Sequence, residues 1–365
     1  MSEALEVAGA GPAGLAAAIT LARAGRRVIV HEAQREVGHR FGADLQGLEN
    51  WSGSEDVLEA LREAGITATF DTLACTRGIA FDAWDRKYEF ESAAPLVYLV
   101  ERGPREGSLD RALLEQALAL GVEVRFGSRR RGLAAPGILA TGPRRADAIA
   151  AGYHFETDMA GGFWLVLDDA LAPRGYAYLL VMDGRGTVKS CMFDGFRQAR
   201  RYVDRTVERF RRLAGLEMRN ARFHAGAGAL PAPAEGLAGD HLVAGEQAGF
   251  QDALAGFGMR HAMLSGVLAA RAVLGAAQYG AACRQRLAPA IEASLVNRAI
   301  FARLGNGGYR WLLRAVTWPQ DARTFLGWLY RPSRLRRGMR ACLRLAGAGT
   351  FLGDGHPIVV EKEGT

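Results

Sequence analysis

Short apolar runs alternate with polar turns at the start of the chain. Residues 4–8 predict a short buried strand, and residues 27–30 predict a second one. Between them, residues 15–24 are rich in alanine and place Leu15, Ile19 and Leu21 at spacings that bury one helix face. This succession of strand, helix and strand predicts a βαβ unit of a parallel sheet.

In the middle of the chain, short apolar segments separated by turns predict a β-sheet. Residues 163–169, 175–183 and 187–193 each predict a strand, and the last two are separated by a glycine turn. Residues 196–213 then predict a helix whose arginines face solvent while its apolar residues cover the sheet. A long apolar helix is predicted later, at residues 259–274.

A glycine turn joins the first predicted strand to the first predicted helix. It reads Gly9-Ala10-Gly11-Pro12-Ala13-Gly14, which is the G-x-G-x-x-G pattern. In that pattern the first glycine permits the tight turn, the second leaves room for a pyrophosphate, and the third allows close helix packing. Glu32 follows the second strand at the distance where an acidic residue binds ribose hydroxyls. Because strands, helix and Glu32 agree, dinucleotide binding is favoured over a purely structural turn, with NAD and FAD both open.

A second glycine-rich stretch, VAGEQAGFQDALAGFGMRHA at residues 243–262, bears on that choice. A short strand leads to Glu246, and Gly256-Phe257-Gly258 then opens the long apolar helix at Met259. A flavin dinucleotide needs amides at two helix starts, one for its pyrophosphate and one for the ring edge that becomes negative on reduction. The two stretches together therefore predict FAD.

These residues resemble the late motif of flavoproteins in the hydroxylase and geranylgeranyl reductase superfamily. The matching residues are Gly245-Glu246, Ala248-Gly249-Phe250, Asp252, Gly256-Phe257-Gly258-Met259, Ser265-Gly266 and Ala269-Ala270. The family's Asp, which contacts the ribityl chain, is Glu246 here, and Ala253 stands where Pro is common. The resemblance implies that Arg102 approaches the FAD phosphates or ribityl chain, a surface arginine being the alternative. It also implies that Arg40 lies in a loop around the cofactor.

Two further features of the resemblance concern substrate and electron donor. The family's Tyr-x-Trp-x-Phe-Pro motif lines a prenyl tunnel, and Tyr176 and Tyr178 keep two of its aromatics without the Phe-Pro end. A substrate cavity and a plain apolar core both remain open for them. Thr141-Gly142-Pro143 replaces the Asp-Gly that serves NADPH in the hydroxylases, so NADPH, a ferredoxin and a quinone all remain possible donors.

The predicted fold is α/β, a Rossmann-like FAD-binding domain with an inserted antiparallel substrate sheet and a helical C-terminal region. Its boundaries are 1–150 with 225–280 for the FAD domain, 151–224 for the substrate domain, and 281–365 for the C-terminal region. The predicted function is hydride transfer between flavin N5 and a carbon of an apolar isoprenoid or acyl substrate, as in double-bond reduction. A monooxygenase and a non-catalytic flavin-binding or membrane-adaptor protein are the alternatives. A halogenase is disfavoured because the W-x-W-x-I-P signature is missing.

The composition of the chain and the motifs it lacks argue against several other classes of protein. The chain has 365 residues, of which 49% are hydrophobic, and its four cysteines form no C-x-x-C pair, so neither disulfides nor zinc are indicated. The histidines are scattered without metal-ligand spacing, and no metal is predicted. No hydrolase motif is present, so the flavin would carry the chemistry. No basic region precedes the first apolar run, and a cytoplasmic location is expected.

The positive charge is concentrated near the C-terminus. Thirteen arginines stand against Glu292 and Asp321 between residues 283 and 345, whereas the whole chain has a net charge of +7. Aromatic residues including Trp311, Trp318 and Trp328 precede the densest arginines, Arg334, Arg336, Arg337 and Arg340. This pattern suits peripheral binding to an anionic membrane, and a basic packing helix is the alternative. Nucleic-acid binding is disfavoured because no recognition motif accompanies the charge.

Overall fold

The computed structural model describes residues 3–130, 132–133, 136–143, 146–230, 237–238, 240–317, 321–333, 336 and 339. Its strands are β1 (Leu5–Ala8), β2 (Val28–His31), β3 (Asp44–Glu49), β4 (Leu73–Cys75), β5 (Arg77–Asp82), β6 (Lys87–Glu91), β7 (Val97–Arg102), β8 (Glu123–Arg125), β9 (Ile138–Leu139), β10 (Ala148–Glu156), β11 (Gly162–Leu167), β12 (Tyr176–Met182), β13 (Arg185–Met192), β14 (Arg219–Gly228), β15 (Leu237–Ala238) and β16 (His241–Val243). Its helices are α1 (Pro12–Arg23), α2 (Val57–Glu63), α3 (Leu109–Ala119), α4 (Ala199–Ala214), α5 (Met259–Val273), α6 (Tyr279–Arg286), α7 (Ala288–Thr317) and α8 (Ala322–Tyr330), with 3₁₀ turns at Phe196–Gln198 and Gly245–Ala248.

The first layer is a six-stranded sheet in the order β15-β16-β9-β1-β2-β8. All of its pairs are parallel except β15 with β16. Helices α1 and α5 pack closely against each other because small residues lie between them. A Cβ on Gly266 would lie 2.0 Å from the carbonyl oxygen of Ala13. The predicted Rossmann-like unit is therefore confirmed.

The second layer is a seven-stranded sheet in the order β14-β10-β13-β12-β11-β5-β6, antiparallel except for the β11–β5 pair. It contains the three strands predicted in the middle of the chain, and it also takes in β5 and β6 from an earlier segment. Alternate side chains point to opposite faces of each strand. One face is covered by α4, which buries Val203, Val207 and Phe210, and the other faces the interior.

A small sheet in the order β3-β7-β4 lies against the larger antiparallel sheet. The amide of Leu45 in β3 donates to the Thr187 hydroxyl of β13 at 3.0 Å. This contact brings β3, and the loop that precedes it, beside the inner face of the larger sheet. The predicted combination of a parallel sheet and an antiparallel sheet is thus confirmed as one α/β architecture.

The C-terminal helices close the inner side of the larger sheet. Helix α7 is interrupted at Gly305, which has a φ of 56°, and Phe301 stacks on Tyr309 across the break with ring centroids 4.4 Å apart. Asn297 of α7 donates to the carbonyl oxygen of Leu329, which holds α8 in place. No helix in the described ranges combines the length and apolarity that crossing a bilayer requires. Trp318, Arg334, Arg337 and Arg340 lie outside the described residues.

Candidate functional site

A cavity of about 1040 Å³ lies between the parallel sheet, the larger antiparallel sheet and the C-terminal helices. Glycines and charged side chains line one part of it, near the starts of α1 and α5. Leucine and aromatic side chains line the other part, near α7 and α8. The polar part of the cavity suits an elongated polar ligand, and the apolar part suits a second, apolar molecule beside it.

The glycines of the first turn have different roles. A Cβ on Gly9 would lie 2.2 Å from the carbonyl oxygen of Ala140, and a Cβ on Gly14 would lie 1.9 Å from that of Gly9. A Cβ on Gly11 would meet no atom within 4 Å and would project into open space at the cavity wall. Ala10, Pro12 and Ala13 also line the cavity where α1 begins. The turn therefore leaves the space at Gly11 that a pyrophosphate needs, next to amides at a helix start.

Glu32 lies directly after β2, beside the same turn. Its Oε2 accepts a hydrogen bond from the Ala10 amide at 2.7 Å, and its Oε1 accepts one from the Gln34 amide at 2.8 Å. These bonds fix the carboxylate at the carboxyl end of the parallel strands, where it lines the cavity. The arrangement suits the expected binding of a ribose diol.

Arg102 is buried, so the surface-arginine alternative does not hold. It is 6% exposed, its Nε and Nη2 donate to Asp110 at 2.7 and 2.9 Å, and its guanidinium lies 4.1 Å from the Phe41 ring centroid. Arg105, three residues later, is the more exposed arginine and pairs with Glu101. Among the described residues Nη1 of Arg102 has no hydrogen-bond partner, and the side chain lines the cavity. It is therefore placed to donate to a bound phosphate or hydroxyl.

Arg40 and Glu246 form an ion pair at the same part of the cavity, with 3.5 Å between nitrogen and oxygen. Burial raises the pKa of Glu246, and the Arg40 charge opposes that shift. The glutamate side chain, longer than the family's aspartate, also reaches the residue that follows β14, because Oε1 accepts from the Ala229 amide at 2.7 Å. Glu246 is thus held between two segments, with its carboxylate at the cavity wall.

The start of α5 forms the second glycine turn. Gly256 has a φ of 79°, and a Cβ on Gly258 would lie 2.3 Å from the Gln251 side chain. Phe257 packs edge-on against Trp51, with ring centroids 5.1 Å apart. Gly256, Phe257, Gly258 and Met259 all line the cavity, and Gly258 supplies no side-chain cap for the first amides of α5. The positive end of this helix dipole therefore borders the cavity.

The two tyrosines line the apolar part of the cavity. Tyr176 and Tyr178 lie on the inner face of β12 with ring centroids 5.9 Å apart, and the Tyr176 hydroxyl donates to the Ala255 carbonyl oxygen. Burial raises the pKa of both phenols well above the ordinary value, so both stay neutral at physiological pH. They present uncharged rings to a ligand.

Sequence reasoning missed a cluster in which the buried residues Asp44 and Lys189 meet the half-buried His154 and His224. Lys189 contacts Asp44 Oδ2 at 2.7 Å and His224 Nδ1 at 2.9 Å, and His154 Nε2 contacts Asp44 Oδ1 at 3.1 Å. Although burial alone would raise the pKa of Asp44, Lys189 and His154 hold it below its usual value. Burial lowers the pKa of Lys189, against the pull of Asp44.

One ligand atom each from Asp44, His154 and His224 lies within 4.8 Å of the other two, a spacing that could hold a metal ion. The Lys189 ammonium contacts two of these three side chains and is therefore the cation that the cluster already holds. A sequence signal existed, since Lys189 is the one charged residue within the strand predicted at residues 187–193.

Comparisons with known proteins agree with the cofactor geometry. Residues 1–138 match the FAD binding domain family, and no curated protein sequence matches the chain. The structure is similar to a geranylgeranyl bacteriochlorophyll reductase-like protein from Thermoplasma acidophilum, with a TM-score of 0.70 and 17% identity over 96% of this chain and 99% of that one. It is similar to the flavin-dependent brominase Bmp2, with a TM-score of 0.64 and 14% identity over 94% and 98% of the two chains. It is also similar to p-nitrophenol 4-monooxygenase from Pseudomonas putida DLL-E4, with a TM-score of 0.54 and 17% identity over 86% and 98%.

At these identities the likeness establishes the fold, which reductase-like proteins, halogenases and monooxygenases share. The FAD binding domain match covers β1, α1 and β2, the elements that carry the open space at Gly11 and the fixed carboxylate of Glu32. The predicted cofactor is thereby confirmed. The chain is a flavoprotein with FAD as its cofactor, and it has the fold that these reductase-like, brominase and monooxygenase structures share.

Proposed function

We propose that the protein is an FAD-dependent oxidoreductase that moves a hydride between flavin N5 and a carbon of an apolar substrate, in the direction of double-bond reduction. The observation that carries this proposal is the continuity of the cavity, whose cofactor part opens into an apolar part of the same space. Bound FAD would supply the hydride chemistry. The protein's own residues would bind the substrate, orient it and exclude water.

The apolar part of the cavity is built for a long hydrocarbon chain. Its wall is formed by aliphatic and aromatic residues from β11, β12, α7 and α8, namely Phe163, Leu165, Leu167, Tyr176, Tyr178, Leu180, Phe301, Leu312, Leu313, Val316, Leu326, Leu329 and Tyr330. Closing such a wall around a substrate removes water from the reacting carbon. An isoprenoid or acyl chain is the substrate class that this lining favours, and the reductase-like structural neighbour is consistent with it.

The segment around Thr141 bears on which molecule donates electrons to the flavin. Thr141 occupies the place of the hydroxylase Asp-Gly segment, and its amide and hydroxyl both donate to Gln247 Oε1, at 3.1 and 2.8 Å. This segment is therefore held against the chain that carries Glu246, and no carboxylate replaces the missing Asp at this position. We infer that a ferredoxin or quinone can replace NADPH as the donor.

Anaerobic turnover tests the reaction type. The flavin is reduced chemically without oxygen, geranylgeraniol or an unsaturated fatty acid is added, and flavin absorbance and product mass are followed together. We expect the flavin to be reoxidised while the product gains two hydrogens, about 2 mass units, because hydride transfer requires no oxygen. A Leu165→Trp variant, which narrows the apolar part, should retain FAD and react more slowly.

The alternatives give different outcomes in the same experiment. Turnover only in oxygen, with a gain of about 16 mass units for one oxygen atom, would establish a monooxygenase and refute the proposed reduction. Bound flavin that no lipid reoxidises, with or without oxygen, would favour a non-catalytic flavin-binding protein.

We further propose that the C-terminal helices bind an anionic membrane from which the substrate enters. Trp311 and Trp328 are 67% and 56% exposed, which is unusual for tryptophan outside an interface. Other side chains of the same helices, including Leu312 and Leu329, line the apolar part of the cavity. Arg336 lies over the Trp328 ring, 5.3 Å from its centroid, so positive charge accompanies the exposed aromatics.

Replacing Arg334, Arg336, Arg337 and Arg340 with Gln should weaken binding to phosphatidylglycerol vesicles. At about 1 kcal/mol per arginine near an anionic surface, the loss is roughly a thousandfold. The matched control changes Arg200, Arg201, Arg205 and Arg211, exposed residues of α4, to Gln and removes the same charge elsewhere. Vesicle co-sedimentation and FAD content are measured for both variants. Equal weakening in both would reduce the membrane proposal to a non-specific charge effect.

A further inference from the structure

Lys189 brings a positive charge to the cavity wall that β12 and β13 form. It lies on β13 opposite Tyr178 of β12, and Tyr178, Lys189 and Cys191 all line the cavity. The opposite face of β13 packs Val188 and Met192 against α4. Of the two β13 residues that line the cavity, Lys189 and Cys191, only Lys189 is charged.

The hydrogen-bond partners of Lys189 show that its side chain is a charged ammonium group that donates to both of them. His224 Nε2 lies 2.7 Å from the Arg40 carbonyl oxygen, which can only accept, so the Nε2–H form of the ring donates there. His224 Nδ1 is then an acceptor, and it takes a hydrogen bond from the Lys189 ammonium. Asp44 Oδ2 accepts a second one at 2.7 Å. The Asp44 and Lys189 charges compensate each other.

An ammonium has three N–H groups, and the described residues use two of those of Lys189. The side chain lines the cavity but is only 1% exposed, so the cavity reaches it over an area that one ligand atom would cover, and such an atom is the available acceptor for the third N–H. A buried ion pair contributes little stability compared with apolar residues of similar volume. Packing alone therefore does not account for Lys189 at this position.

We propose that Lys189 binds one oxygen atom of the substrate through this third N–H group. The substrate would be an apolar chain that carries a carbonyl, carboxylate or ionised hydroxyl oxygen where it meets β13. A single donor in a charge-compensated cluster matches one oxygen atom better than a phosphate group, which needs several donors. This inference rests on the proposed function in one respect, namely that the apolar part of the cavity holds the substrate.

Binding measurements on the FAD-loaded protein test the proposal. The probes are 1-dodecene, 2-dodecanone and dodecanoate, which share a chain and differ in oxygen content, and calorimetry gives each affinity. We expect the wild type to prefer an oxygenated probe by about tenfold to a hundredfold, the range for a hydrogen bond to a charged group. The Asp44→Asn, Lys189→Met double variant should lose that preference and bind 1-dodecene unchanged.

The double variant is used because Lys189→Met alone would leave the Asp44 carboxylate buried without its cation. Thr187→Val is the matched control, since Thr187 lies on the same face of β13 but bonds to Leu45. It should keep the preference, and FAD content and melting temperature verify that both variants fold. A folded double variant that still prefers the oxygenated probes would overturn the role of Lys189. A double variant whose flavin reduction potential shifts while its preference for oxygenated probes stays would also overturn that role.

The wild-type result separates this inference from the proposed function. If the wild type binds all three probes equally, the apolar substrate site stands and the role of Lys189 is refuted. If it binds none of them, the proposed apolar substrate is refuted, and the inference about Lys189 is refuted with it.

Discussion

Replacing Gly11 with Val should give a folded protein that no longer retains FAD. Gly11 has a φ of −81°, which any residue can adopt, and a Cβ there would meet no protein atom within 4 Å. The valine side chain would instead occupy the space that the cofactor's pyrophosphate needs. A clash of about 3 kcal/mol or more corresponds to at least a hundredfold loss of affinity. The ratio of flavin to protein absorbance after purification measures the loss.

The matched control for this variant is Gly14→Val, three residues further along. A Cβ on Gly14 would lie 1.9 Å from the Gly9 carbonyl oxygen, so this substitution should disturb the packing of α1 on β1. We expect Gly14→Val to lower the melting temperature, and Gly11→Val to leave the melting temperature of the FAD-free protein unchanged. Full FAD occupancy in Gly11→Val would contradict the assignment of the pyrophosphate to this turn.

The cofactor half of the site was predictable because its signals are local. The first glycine turn, β2 and Glu32 all lie within one βαβ unit, where sequence spacing fixes spatial position. The second turn was predictable for the same reason, because Gly256 to Met259 lie where a single helix begins. The need of a flavin dinucleotide for amides at two helix starts then related the two turns to one cofactor.

The cluster around Lys189 was not predictable in this way. Its members, Asp44, His154, Lys189 and His224, come from four strands of two sheets, and their proximity depends on how these strands pair. Spacing along the chain carries no information about such long-range register. The entry of β5 and β6 into the larger sheet was missed for the same reason. For Tyr176 and Tyr178, the sequence left core and cavity open because period two fixes a shared face but not what that face contacts.

Substitution of Arg102 should separate its contribution to folding from its contribution to FAD binding. Arg102→Met alone leaves the Asp110 carboxylate buried without its cation, and we expect a loss of about 3–5 kcal/mol in the free energy of unfolding. Adding Asp110→Asn removes the unpaired charge and should restore most of that stability, because an amide oxygen can still accept from the Gly103 amide. Denaturant unfolding of the FAD-free variants measures both effects.

The double variant then shows what Arg102 does for the cofactor. If Nη1 of Arg102 donates to a phosphate or ribityl oxygen, the folded Arg102→Met, Asp110→Asn protein should bind FAD about tenfold to a hundredfold more weakly, as expected for a charge-assisted hydrogen bond. Arg105→Met is the control, because Arg105 is 44% exposed and its partner Glu101 keeps a second arginine, Arg185. It should change FAD affinity and stability little. Wild-type FAD affinity in the double variant would mean that Arg102 only neutralises Asp110, and the cofactor's anionic part would then depend on the amides at the start of α1.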